Sequence, residues 1–159
     1  MKHIVTLLVE NKPGVLARIV GLISGRGYNI DGLTVAPTHD PEVSKMTIEV
    51  PGDDRVLEQV TKQLNKLIDV IKVADLTSQR YFGQEMILVK VAAGPDQRRG
   101  VLDLAEIFGA VVLGVQSASM TLRLADRQER IAEFLELLKP FRILDVSRSG
   151  LIAMPADGA

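Results

Sequence analysis

Two short segments hold residues whose types and spacing suit recognition of a small charged molecule. The first, Glu10-Asn11-Lys12-Pro13-Gly14-Val15-Leu16, sets a turn directly before a helical pattern. Backbone N–H groups at a helix N-terminus lack an intrahelical acceptor, and the positive end of the dipole favours a carboxylate or phosphate there. Gly14 lets a ligand come close to the backbone, and Asn11 offers both an amide donor and a carbonyl acceptor. The second segment, Gly27-Tyr28-Asn29-Ile30, supplies another amide in Asn29. Together these groups suit a zwitterion, with donors for its carboxylate and acceptors for its ammonium. Leu16, Ile30, Leu33 and Val35 can enclose an aliphatic side chain. Spacing alone leaves open whether Asn11 and Asn29 meet within one chain or across two. A structural role also fits: Asn11 closing a turn, Gly14 relieving strain and Asn29 supporting a bend.

Other chemistries find little support. Cysteine is absent, which removes thiol nucleophiles, disulfides and cysteine-ligated metals. The two histidines, His3 and His39, belong to no HExxH or nucleophile–base pattern, and no GxSxG elbow occurs. Asp53-Asp54 precedes a helical stretch, where capping is the ordinary role. Gly25-Arg26-Gly27 ends a helix instead of opening one, and Ile30 stands where a dinucleotide fingerprint needs glycine. The turn at Pro13-Gly14 has no arginine and loses one N–H to proline, which disfavours an acylphosphatase-type enzyme. Lys plus Arg number 19 against 20 Asp plus Glu, a net charge of −1, so no basic footprint for nucleic acid exists. Arg26-Gly27-Tyr28 opens like an RNA-binding motif, but Asn29 and Ile30 break it, and four Phe and two Tyr make a poor stacking platform. The longest apolar stretch, residues 107–115, falls short of the roughly 18 residues a membrane span needs. Lys2 and residues 4–9 loosely imitate a signal peptide, but Glu10, Asn11 and Lys12 follow. The expected location is the cytoplasm.

The elements that must hold these residues recur twice in the same order. Residues 4–9 read as a strand, Val15, Leu16, Ile19, Leu22 and Ile23 as a helix stripe, and residues 28–37 as a second strand. Alternation through Met46, Ile48 and Val50 gives a third strand, Val56, Val60, Leu64 and Leu67 a second helix, and residues 70–76 a closing strand. The second half repeats the pattern: a strand at 86–92, a helix through Val101, Leu104, Ala105 and Phe108, and strands at 110–115 and 120–124. A helix through Ile131, Phe134, Leu135 and Leu138 follows, opened by a capping box of Asp126 and Glu129, and then a strand at 141–146. Two βαββαβ units imply an α+β protein of two tandem ferredoxin-like sandwiches. The expected domains are residues 1–77 and 85–150, with a linker at 78–84 and a flexible tail at 151–159. The first strand is apolar on both faces and needs cover on both, which points to a homodimer.

At these residues the sequence resembles a known family. Glu10-Asn11-Lys12-Pro13-Gly14-Val15-Leu16 and Gly27-Tyr28-Asn29-Ile30 look like the amino-acid-binding ACT domain. The longer string Gly27-Tyr28-Asn29-Ile30-Asp31-Gly32-Leu33-Thr34-Val35-Ala36 resembles the regulatory small subunits of acetolactate synthase, as do Ser44-Lys45-Met46-Thr47-Ile48 and Lys62-Gln63-Leu64-Asn65-Lys66-Leu67. The likeness is diffuse in the second half, where Arg148-Ser149-Gly150 is its best remnant, and Gly32 departs from the small polar residue expected there. The resemblance implies a non-catalytic homodimer that activates a large catalytic subunit in valine, leucine and isoleucine synthesis and confers feedback inhibition by valine. It implies effector contacts at Asn11, Gly14 and Asn29, with Val15, Leu16 and Ile30 contributing backbone. It also places thiamine diphosphate, magnesium and FAD on the large subunit and no cofactor on this chain. Two alternatives stand beside it: an ACT-type sensor regulating another enzyme or a transcription factor, and the acylphosphatase-like enzyme.

Overall fold

The computed structural model describes residues 1–157. It divides into two compact units, Met1–Phe82 together with the segment from Leu151, and Gly83–Gly150.

In the first unit the chain runs β1 (Lys2–Glu10), α1 (Val15–Ser24), β2 (Gly32–Pro37), β3 (Val43–Pro51), α2 (Asp54–Leu64) and β4 (Val70–Asp75). The antiparallel sheet has the order β2-β3-β1-β4. Period-two patterning sends Val5, Leu7 and Val9 of β1, with Met46, Ile48 and Val50 of β3, to one face. There they meet Val15, Ile19 and Ile23 of α1 and Val60 and Leu64 of α2 in one core. Asp53 caps α2, its carboxylate accepting from the Val56 N–H at 3.0 Å. His3 is fully buried, and its Nε2 lies 3.1 Å from the Gly52 oxygen and 3.0 Å from the Asp53 oxygen. Two flanking carbonyls assign the proton to that nitrogen, so His3 fastens β1 to the turn entering α2. The strand expected over residues 28–37 begins only at Gly32, because Gly27 at φ 77° turns the chain and the Tyr28 N–H returns to the Ile23 oxygen.

The second unit contains β5 (Tyr81–Ala92) from Gly83 onward, α3 (Arg98–Phe108), β6 (Val111–Val115), β7 (Ser119–Asp126), α4 (Gln128–Leu138), a short 3-10 turn over Lys139–Phe141, and β8 (Ile143–Arg148). Its sheet runs β6-β7-β5-β8, and its core joins Ile87, Val89 and Val91 to Val101, Phe108, Ile131, Phe134 and Leu138. The expected capping box does not form. Strand β7 extends to Asp126, whose carboxylate accepts from the Arg127 N–H and from Arg130, leaving Arg127 as an uncapped helix start. Glu85 is buried in this unit and receives a two-pronged bond from Arg148, Nε to Oε1 at 2.7 Å and a terminal nitrogen to Oε2 at 2.9 Å. Gln128 donates to the same carboxylate. Arg148→Ala takes the guanidinium from a buried carboxylate and should cost about 2–3 kcal/mol, the low end for a broken buried pair because Arg148 is half exposed. Arg148→Lys, which cannot make the fork, should recover only part of that in urea unfolding.

Two expected boundaries change. The linker assigned to residues 78–84 is shorter, because β5 already starts at Tyr81, which packs against Ile4, Leu76, Leu151 and Ala153. The tail is not loose over its described part: residues Ile152–Pro155 form β9, Leu151 is buried, and Thr34 Oγ1 of β2 donates to the Leu151 oxygen at 2.8 Å. Residues 158–159 lie outside the described part. Apolar pairing drives this docking, since Ile4 and Leu76 on the second face of the first sheet would otherwise face water. Part of the cover that β1 demands therefore comes from its own chain.

The same face carries Glu49, buried and 2.6 Å from Lys2 Nζ. Glu49 pairs with Gly32, and a Cβ at Gly32 would stand 2.1 Å from its Oε2. The carboxylate thus occupies the space a side chain at position 32 would need, which accounts for glycine where a small polar residue was expected. Gly32→Ala should lower stability by roughly 1–3 kcal/mol through overpacking, read as a depressed melting temperature that Gly32→Ala/Glu49→Ala partly restores.

Candidate functional site

The turn between β1 and α1 is built around Gly14, which sits at φ 85° and ψ −11° as the N-cap of α1. A residue with a Cβ is strained in that left-handed region, so glycine is required by the backbone. Glycine also brings no side chain to cap the helix, and α1 has no acidic residue in its first turn. The Val15 N–H reaches back only weakly, 3.4 Å from the Lys12 oxygen, and the Arg18 N–H bonds to the Gly14 oxygen at 3.0 Å. Among the described residues the N–H groups of Leu16 and Ala17 have no backbone acceptor. The result is a helix end with open N–H donors and no acidic side chain in its own first turn, whereas α2 is satisfied by Asp53 and Asp54.

Three cations and amides frame this end. Arg18, one turn into α1, donates from Nε to Asp69 Oδ2 at 2.8 Å, and its second terminal nitrogen lies 2.7 Å from the same oxygen. Its first terminal nitrogen lies 3.4 Å from where a Gly14 Cβ would be. Lys12 bonds Glu10 at 2.9 Å, and that bond, then the charge behind it, raises the ammonium's pKa above its ordinary value, so Lys12 stays cationic through neutral pH. Asn11 is exposed; its Nδ2 donates to the Pro41 oxygen at 2.8 Å and its N–H to the Glu42 oxygen, tying the turn to the loop between β2 and β3. Its Oδ1 faces no protein donor among the described residues.

The sequence-derived residues separate into two groups. Asn11, Gly14, Val15 and Leu16 share one end of the sheet; Val15 is buried in the core and Leu16 is 41% exposed at the mouth of the turn. Asn29 and Ile30 lie at the other end. Gly32, three residues after Asn29, is aligned through Glu49 with Ile4, whereas Glu10 is aligned with Val43. The six residues from Ile4 to Glu10 span about 20 Å at roughly 3.3 Å each. One chain therefore does not bring Asn29 to Asn11 and Gly14. Asn29 is exposed and its Nδ2 donates to Asp31 Oδ1 at 2.8 Å. The Arg18–Asp69 pair was not anticipated; Arg18 stands four residues after Gly14 on one helix face, a readable signal, but Asp69 arrives by tertiary folding alone.

Among the described residues no cluster of three or more His, Asp or Glu side chains is arranged to hold a metal ion. No described helix is long and apolar enough to cross a membrane.

With this geometry in view, likeness to known proteins is extensive. Residues 5–72 match the family "AHAS small subunit-like ACT domain" and residues 84–157 the family "Small subunit of acetolactate synthase". The acetolactate synthase small subunit of Aquifex aeolicus is 47% identical over 154 residues, covering 96% of this chain and 80% of that protein. The acetolactate synthase isozyme 3 small subunit of Escherichia coli is 41% identical over 155 residues, covering 97% and 95%. The crystal structure of the small subunit from Thermotoga maritima superposes with a TM-score of 0.90 at 30% identity, covering 100% of this chain and 99% of that one.

Proposed function

Because the chain belongs to the acetolactate synthase small-subunit family, we propose that it is the cytoplasmic regulatory partner of a catalytic large subunit and binds a free branched-chain amino acid, valine in the first instance, at the turn before α1. The reading rests above all on the α1 N-terminus: Gly14 at φ 85°, no acidic residue in the first turn, and unaccepted N–H groups at Leu16 and Ala17. An amino-acid carboxylate supplies the missing acceptor, and hydrogen bonds to a charged group are worth roughly 1.5–3 kcal/mol each. Leu16 offers apolar surface to the side chain. Asn29 joins the site only from a second copy, so the effector sits between two protomers of a homodimer. Thiamine diphosphate, magnesium and FAD belong to the large subunit, where the reaction takes place.

Regulation then follows from linkage. Valine inhibits only if the less active state of the complex binds it more tightly. A ligand held between protomers supplies such a difference, because a small shift of one protomer opens or closes its half of the site. Reconstitution with a large subunit, assayed with and without valine, tests the proposal: the small subunit should raise activity and valine should lower it. In a thermal-shift assay, valine at about 100 times its dissociation constant should add roughly 2.7 kcal/mol of stability. No shift with valine, leucine or isoleucine, and no change in large-subunit activity, refutes it.

A further inference from the structure

Arg18 overhangs the turn before α1 with only part of its guanidinium engaged. It stands at the fourth position of the helix, and helical side chains tilt towards the N-terminus, so its side chain runs back towards Gly14. Nε lies 2.8 Å and Nη2 2.7 Å from a single oxygen, Asp69 Oδ2. Those two nitrogens form the side edge of the planar group. The end edge, Nη1 with the second hydrogen of Nη2, is unused, and among the described residues Nη1 has no acceptor. Nη1 lies 3.4 Å from the point a Gly14 Cβ would take. Glycine thus leaves space beside this nitrogen, at the same helix end that carries the unaccepted N–H groups of Leu16 and Ala17.

Asp69 holds the guanidinium there. Its side chain is 13% exposed, and its carbonyl accepts from the Glu10 N–H at 2.9 Å, which fixes it to the end of β1. A carboxylate so enclosed keeps its cation, because losing it would leave a largely buried charge unpaired. Lys12, the other cation of the turn, is placed less well. Its side chain is 65% exposed and its ammonium is bonded to Glu10. A solvated charge on a flexible stem gains little from a further anion.

We infer that Arg18 takes the carboxylate of the free amino acid on its end edge, and that Asp69, on the side edge, is its positioning residue. This rests on the effector site proposed at the turn before α1. Each edge of a guanidinium matches a carboxylate, so one arginine serves both without exchanging partners. Asp69 also immobilises the side chain in advance, which removes part of the ordering cost of binding. The pair makes a free α-carboxylate a condition of binding: an amide presents a carbonyl without charge and gains no ion pair.

Arg18→Gln alone would leave Asp69 unpaired and mix lost contact with repulsion. The informative variant is Arg18→Gln/Asp69→Asn, which keeps a neutral hydrogen-bonding pair. Calorimetry of the full chain compares valine with valinamide at about pH 6.5, where the α-amino group of each is protonated. The double variant should bind valine roughly ten- to a hundredfold more weakly, while valinamide weakens less than about threefold. Should the exchange unfold the chain, Arg18→Lys, which keeps Asp69 paired but has no fork, carries the same comparison. Equal weakening of valine and valinamide, or an unchanged affinity for valine, overturns the inference and leaves the effector site standing. If the unaltered chain binds neither valine, leucine nor isoleucine, the effector reading falls and the inference falls with it.

Discussion

Gly14→Asp is expected to remove the valine response of the reconstituted complex while leaving its activation by the small subunit in place. The new carboxylate would stand at the N-terminus of α1, where the dipole favours it, with a nitrogen of Arg18 only 3.4 Å from the position of its Cβ. It supplies internally the anion that valine would bring, and two anions do not share one helix end. The loss of two charge-assisted bonds corresponds to a Kd weakened by about a hundredfold or more. The backbone at φ 85° adds strain of about 1–2 kcal/mol, which Gly14→Ala shares without the carboxylate. Comparing the two by calorimetry separates the causes: Gly14→Ala should keep measurable valine binding, and Gly14→Asp should lose it. Equal loss in both, or an unfolded far-ultraviolet spectrum, would return Gly14 to a purely structural role.

Two variants that each fail to bind should restore one another when combined. Asn29→Ala removes an amide at one end of the sheet, and Gly14→Asp blocks the other end. Because β1 separates those ends, an effector touching both must lie between protomers. A mixed dimer then holds one site with both lesions and one with neither. Random reassortment makes half the dimers mixed, so about a quarter of all sites become intact, and that fraction should reappear as tight valine binding after co-expression. No recovery would mean that the site lies within one chain or that Asn29 does not contribute.

Much of the architecture was legible because core patterning and element type agreed. Val15, Ile19 and Ile23 at helical spacing, and Met46, Ile48 and Val50 at strand spacing, fall in one core as read. The second unit was legible for the same reason, through Val101, Ala105 and Phe108 and through Ile131, Phe134 and Leu138. What escaped depends on tertiary partners. Leu151 and Ala153 look like any apolar pair near a polar end, and only packing against Ile4 and Leu76 buries them. The capping box at Asp126 failed because strand pairing with Glu85 carried β7 two residues past the expected end at Leu124. At the candidate site, the Gly14 turn was readable from proline, glycine and the helix pattern. Its distance from Asn29 required the register of three strands.

The docking of β9 also bears on how the chain comes together during synthesis. The first unit is discontinuous, with the whole of Gly83–Gly150 interposed before its remaining strand. A ribosome therefore releases residues 1–82 long before the residues that shield Ile4 and Leu76 exist. Until then this flank is open to chaperones or to neighbouring nascent chains, and maturation of the N-terminal module waits on the translation of everything after it.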